Sequence, residues 1–214
     1  MSSSTLDRLP DVVGDLRGGA DVGNTIVEAA IVLYRRRPFH EVTLELVAEE
    51  AGLGLGAIRE RFPSGDDLVL AVIQAWNAQR MEPILPIATS YGAVAFLRAI
   101  VLANMHDGAL MRLLTAVVNV AATPGHPIAP LVQRQWVQFH ATVQRALAAD
   151  VAAGREPATM EPSRGAEQLI AMYEGLQLQS MVRPHMDPLE AYDRAVTRLR
   201  DGWTHQYAPP IWEI

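Results

Sequence analysis

The sequence predicts an all-α chain: an N-terminal helix-turn-helix unit of three short helices, followed by a larger helical unit, with about nine helices in all. Three observations carry that expectation. Apolar residues recur at spacings of three and four along most of the chain. No segment of useful length alternates apolar with polar residues, as a half-buried strand would. Proline, glycine and N-cap residues return at short intervals and punctuate the helical stretches. With 214 residues, 50% of them hydrophobic and 20% charged, the chain is long enough for a sizeable core and unlike a disordered chain in composition.

Residues 1–23 hold Gly14, Gly18, Gly19, Gly23 and four aspartates without a sustained helical period, so a flexible leader is expected there. From Asn24 onward, Ile26, Val27, Ala29, Ala30, Leu33 and Tyr34 follow helical spacing behind a cap at Asn24 or Thr25, and Pro38 ends the run. Thr43 is a good N-cap for a second helix carrying Leu46, Val47, Glu50 and Ala51, which Gly52 closes in a left-handed conformation. A third short helix, residues 55–62, stops at Pro63. Ser64, with Asp67 three residues on, forms a capping box for a fourth that bears Leu68, Val69, Val72, Ile73 and Trp76 and runs to about Pro83. Longer helices are expected over residues 91–107, 109–122, 127–153, 163–182 and 188–206. The domain division that follows is 1–23 leader, 24–72 helix-turn-helix, and 73–214 for the larger unit.

Composition removes several classes of function. Cysteine is absent, which excludes disulfides, thiolate metal sites and cysteine nucleophiles. The most apolar stretch, residues 110–122, contains Arg112, Thr115 and Asn119 and is too short to span a membrane. The first residues lack the basic cluster and apolar run of a secretory signal, so a cytoplasmic location is expected. All 18 positive charges are arginines, and against 24 acidic groups they leave a net charge of −6. That balance does not by itself suggest a nucleic-acid binder. No histidine pairs with a carboxylate at metal-ligand spacing, and no nucleophile-base order or phosphate loop stands out, so neither an enzyme nor a metal or other cofactor is expected.

The stretch from Thr43 to Phe62 carries the chemistry. Ala48 and Gly52 let two helices approach closely, and Ile58 and Phe62 pin the second of them to a core so that its other side can enter a DNA groove. Matching residues accumulate at fixed offsets around it: Ile26, Ala29 and Ala30, then Phe39, Thr43, Val47, Ala48, Ala51 and Gly52, then Gly56, Ile58, Phe62, Ser64 and Leu68. In these positions residues 24–73 resemble the TetR family of one-component bacterial regulators. The terminal residues from Pro209 to Ile214 are similar to tails of some actinobacterial members. The sequence departs from the family pattern where it has Arg59 for a tyrosine, Arg61 for a histidine or tyrosine, and Gly65 for a phosphate-contacting lysine. Residues 24–82 carry six arginines against nine acidic residues, a net −3.

The resemblance implies a double-stranded DNA operator as partner, read by Leu55, Gly56, Ala57, Arg59 and Arg61, with Thr43 and Ser64 offering helix N-termini to phosphate. Arg59 and Arg61, two residues apart on a helix, point roughly 200° apart, so both cannot face one base pair. Thr43 and Ser64 act as caps in any case, and Arg35 to Arg37 suit a solvated helix C-terminus. For the larger unit the resemblance implies a small apolar or amphipathic effector and a homodimer. Trp76, Phe96, Met105, Asn119, Trp136, His140, Tyr173 and Gln177 are the candidate effector contacts, although methionine and aromatic residues at helical spacing also serve as plain core. Leu169, Met172, Tyr173, Leu176 and Ser180 form one stripe, and Leu189, Tyr192, Val196, Leu199 and Trp203 another, as a four-helix dimer interface requires. Burial inside a single chain produces the same stripes. The reading reached is a repressor released by its ligand, with a DNA-binding-deficient helical dimer of the same fold as the alternative.

Overall fold

The computed structural model describes residues 12–206, with side chains from Asp21 onward, and among these residues every regular element is helical. The chain divides into two compact units, Met1–Val72 and Ile73–Ile214.

The first unit contains α1 (Val12–Arg36), a 3-10 turn (Phe39–Glu41), α2 (Leu44–Ala51), α3 (Leu55–Arg61) and the start of α4 (Gly65–Met81). Helix α1 starts at Val12, not at Asn24, which corrects the expected leader over residues 12–23; the rest of that leader, residues 1–11, lies outside the described residues. Thr25 is no cap, since its hydroxyl donates to the Asp21 carbonyl within the helix at 3.0 Å. A glycine in a helix costs only about 1 kcal/mol relative to alanine, so a cluster of them lowers helix propensity without ending the helix. Ile26, Ala30, Leu33, Val47, Ile58, Phe62 and Leu68 form the buried interior that holds α1, α2 and α3 together.

The second unit holds the rest of α4, then α5 (Leu85–Ser90), α6 (Ala93–His106), α7 (Gly108–Ala121), α8 (Ala129–Ala152), α9 (Pro162–Val182) and α10 (Pro188–Trp203). The short α5 brings the helices among the described residues to ten, one more than expected. It is legible only in retrospect, because Pro83 and Pro86 read as breakers, whereas Pro86 occupies the first turn of α5, where the missing N–H costs nothing. The core runs through Phe96, Leu97, Ile100, Val143, Leu147, Leu169, Tyr173, Tyr192 and Val196, so α6, α8, α9 and α10 share one interior. At the N-terminus of α6 the buried Asp150 carboxylate accepts the Ala93 N–H at 2.8 Å and the Arg155 Nε–H at 2.7 Å. Gly92 is required beside it. Its φ is +90°, and a Cβ there would lie 2.4 Å from the Asp150 carboxylate. The buried Glu156 pairs with Arg200 of α10 at 2.8 Å and ties the α8–α9 connection to the last helix.

No single helix among the described residues is long and apolar enough to cross a membrane; α6 and α7 reach that length only together and are bent by 109°.

Candidate nucleic-acid interface and effector core

In the first unit, α2 and α3 meet at a turn built by Gly52, whose φ of +65° lets the Gly52 and Leu53 N–H groups return to the end of α2. Thr43 caps α2 by accepting the Leu46 N–H at 3.3 Å. Ser64 and Asp67 form the capping box reciprocally: the Ser64 N–H donates to the Asp67 carboxylate at 3.1 Å and the Asp67 N–H to the Ser64 hydroxyl at 3.2 Å. The Ser64 amide is therefore already occupied by the protein's own carboxylate.

Ile58 is fully buried and Phe62 nearly so, which anchors one side of α3. The other side presents Gly56, Arg59 and Glu60 to solvent, with Leu55 and Ala57 half-buried at the start of the helix. Arg59 is 59% exposed and donates to the equally exposed Glu45 of α2 at 3.2 Å. Glu45's own backbone amide, Thr43 and Arg59 hold its carboxyl below the ordinary range. An exposed pair of this kind contributes little to stability and gives way readily to another anion. Arg61 is placed differently. Its side chain lies over the buried Gly23 of α1, where a Cβ would come within 3.0 Å of Nε, and its guanidinium sits 5.9 Å from the Phe62 ring. Both candidate arginines are exposed, but Arg59 leans toward α2 and Arg61 toward α1.

In the second unit, several candidate effector residues converge, though through two side chains that the sequence reading did not select. Phe139 gathers Phe96, Trp136 and Tyr173, with ring centroids 6.3–6.5 Å away. Asn104, 1% exposed, donates through Nδ2 to the Tyr173 hydroxyl and to Gln177 Oε1, both at 2.8 Å. Arg80 donates to Asn104 Oδ1, to Asn77 Oδ1 at 2.5 Å and to Met111 Sδ at 3.3 Å, and lies 4.5 Å over the Trp76 ring. Trp76, Tyr173 and Gln177 are thus joined by Arg80 and Asn104. Burial holds the Arg80 guanidinium below its ordinary value, against the opposing pull of Tyr173 and Asp107. Burial also raises Glu174, despite a hydrogen bond from Trp136, and raises the Tyr173 hydroxyl. No group of three or more His, Asp or Glu side chains among the described residues is arranged to hold a metal ion.

Two candidates are withdrawn from this core. Met105 is 47% exposed and Asn119 is also on an outer face. The interior stripe of α6 is Leu97, Ile100, Val101 and Asn104, one helical position away from Met105, so Asn104 is the buried asparagine of this unit. His140 is half-buried on α8 beside Phe139. The dimer stripes need a similar correction. Leu169, Tyr173, Tyr192, Val196 and Trp203 are buried in their own chain, where the Tyr192 hydroxyl donates to the Val94 carbonyl at 2.9 Å and the Trp203 indole to Gln168 at 2.8 Å. Met172, Leu176, Ser180, Leu189 and Leu199 are half-buried. The outward face of α9 is instead Ala171, Gly175, Leu178 and Val182, and the last two are 55% and 72% exposed.

A glycine-turned pair of short helices with an exposed face on the second, followed in the chain by a larger all-helical unit with a partly polar interior, is a helix-turn-helix architecture. Residues 26–72 match the family described as bacterial regulatory proteins, tetR family. Solved structures share its fold at low identity. A TetR transcription regulator from Haloarcula marismortui ATCC 43049 superposes with a TM-score of 0.75 at 13% identity, covering 86% of this chain and 98% of that one. The Stenotrophomonas maltophilia repressor SmeT, in complex with triclosan, gives 0.65 at 20% identity over 89% and 100%. Thermus thermophilus FadR, a TetR-family repressor in complex with lauroyl-CoA, gives 0.62 at 17% over 89% and 99%. Among curated proteins no sequence matches. The actinobacterial resemblance rested on residues 209–214, which lie outside the described residues.

Proposed function

We propose that the chain is a cytoplasmic, homodimeric repressor that binds a palindromic operator through α3 and releases it when a small apolar or amphipathic molecule enters the larger unit. The observation that carries this reading is the open face of α3, where Arg59 stands on a helix anchored by Ile58 and is held only by an exposed carboxylate. One bidentate arginine contact to guanine discriminates by about 1–3 kcal/mol, and displacing Glu45 toward solvent is a small cost beside that. Leu55, Gly56 and Ala57 lie on the first turn of α3, where backbone approaches a groove; Thr43 lies at a helix start suited to phosphate, and Ser64 at another where a phosphate must displace Asp67. Palindromic reading requires two copies, and the exposed Ala171, Gly175, Leu178 and Val182 face of α9 is the surface we assign to the partner subunit. Effector release is supported by the aromatic and polar interior around Phe139, Arg80 and Asn104, and by two similar structures that hold triclosan and lauroyl-CoA.

A specific observation favours a second reading, a helical dimer with weakened DNA binding: residues 24–82 are net −3, Gly65 stands where the family has a lysine, and Asp67 occupies the Ser64 amide. Electrophoretic mobility shift on the intergenic DNA flanking the chain's own gene separates the two. Retention that weakens steeply with added salt is expected for the repressor, because phosphate contacts release counterions. Absence of retention at low salt overturns it in favour of the second reading.

A further inference from the structure

Arg80 is half-buried, and the partners its guanidinium is seen to hold, Asn104, Met111 and Asn77, are all neutral. Its Nη1 is taken by Asn104 and Met111, its Nη2 by Asn77, and its face by the Trp76 ring, while Nε is buried with no partner. Tyr173 and Asp107 pull its titration upward, but burial outweighs them. A charge removed from water without a counter-ion is costly, and an anion arriving from outside relieves that cost. The Nε–H and the neighbouring Nη2 N–H run parallel along one edge of the guanidinium, the edge that grips a carboxylate with two bonds. Here that edge is half empty, and the other half is held by Asn77.

Asn77 also faces outward. It lines an open groove of 580 Å³ together with Gln74, Ala78, Met81, Leu85 and Gln135. Ala78, Met81 and Leu85 offer apolar contact, the amides offer weak polar contact, and Glu82 sits at the groove as its one acidic group. We infer that the effector is a carboxylate-bearing amphiphile whose apolar part lies along Ala78, Met81 and Leu85 and whose carboxylate displaces Asn77 to pair with Nε and Nη2 of Arg80. A monocarboxylate matches the single positive charge; a dianionic phosphate would bury one unmatched charge. Glu174, the other buried group with an oxygen that lacks a partner, already receives the Trp136 hydrogen bond, and burial favours its neutral form, so it offers a cation less than Arg80 offers an anion.

This inference rests on the effector-binding reading above, and calorimetric titration of the full-length chain at neutral pH with decanoate, 1-decanol and decylamine tests it. Decanoate is expected to bind at least about tenfold more tightly than 1-decanol, with decylamine the weakest, since charge-assisted bonds are roughly twice as strong as neutral ones. Arg80→Gln is expected to erase the preference for decanoate and leave 1-decanol binding unchanged, whereas Arg80→Lys retains part of it. A purely structural Arg80 would not make affinity follow the charge of the ligand. Equal binding of decanoate and 1-decanol by the unaltered chain overturns the inference while leaving effector binding intact, and that comparison needs no variant to fold. A preference for decanoate that survives in Arg80→Gln overturns it equally. If none of the three binds and none alters DNA retention, the effector reading falls together with it.

Discussion

Arg59 in the first unit and Arg80 in the second are the same side chain put to opposite uses. Arg59 is exposed and shares its charge with an exposed carboxylate in a pair that water and salt already weaken. Arg80 is half-buried and holds neutral amides, a thioether and an indole face, with its Nε buried and without a partner. An exposed cation can be exchanged between partners at little cost, which suits the operator-reading role proposed for this face. A half-buried cation with neutral partners and one buried, unpartnered N–H is held at a cost the fold tolerates, and it favours an anion that reaches that N–H. The first unit therefore has its chemistry on the outside of a small apolar interior, and the second has its chemistry inside a large one.

That difference sets the order of expected mutational effects. In the first unit Ile58 is the buried residue within α3 and, with Phe62 at its end, anchors that helix. Ile58→Ala is expected to cost about 3–4 kcal/mol in urea denaturation and to abolish DNA retention as the anchor is lost. In the second unit, Asp150→Ala strips the cap from α6 and leaves the Ala93 N–H buried without an acceptor. A loss of about 2–3 kcal/mol is expected, read as a lowered thermal midpoint; an unchanged midpoint would mean that water replaces the carboxylate.

Tyr34 gives a pH signature for the first unit. Burial, helped by the charge of Asp66, raises its hydroxyl from 10.0 to about 12. Its stabilising effect is fully present below pH 10, where the tyrosine is neutral in both states. It is lost as pH rises from 10 through 12, because the unfolded chain ionises first. The span corresponds to roughly 2–3 kcal/mol. Tyr34→Phe is expected to flatten that part of the alkaline denaturation profile, and an identical profile in the variant would contradict the assignment.

Where a local rule acts alone, the sequence was a sufficient guide. Thr43 as cap, Gly52 as left-handed stop and the Ser64–Asp67 box each follow from residues within a few positions of one another, and the structure has all three. Where the outcome depends on which side of a helix meets which neighbour, it was not. Asn104 and Asn119 are equivalent polar residues in apolar helices until packing places one in the interior and the other outside. Arg80 continues the stripe of Val72, Ile73 and Trp76 by one turn, a signal available in the spacing but overridden by the habit of reading arginine as solvated. The stripes of α9 and α10 were visible as stripes, yet periodicity cannot tell the interior of one chain from the seam between two. Packing decided it, turning Leu169, Tyr192 and Val196 inward and leaving Leu178 and Val182 outside.

The placement of the two α3 arginines is tested most directly by fluorescence anisotropy of a labelled intergenic duplex titrated with the parent chain, Arg59→Ala and Arg61→Ala at one fixed low salt concentration. Arg59→Ala is expected to weaken binding by about 10- to 100-fold, the effect of losing one base-reading or phosphate-paired arginine, with Arg61→Ala several-fold at most because that side chain lies over Gly23. Equal affinity of Arg59→Ala and the parent, or a larger loss from Arg61→Ala, would contradict the account.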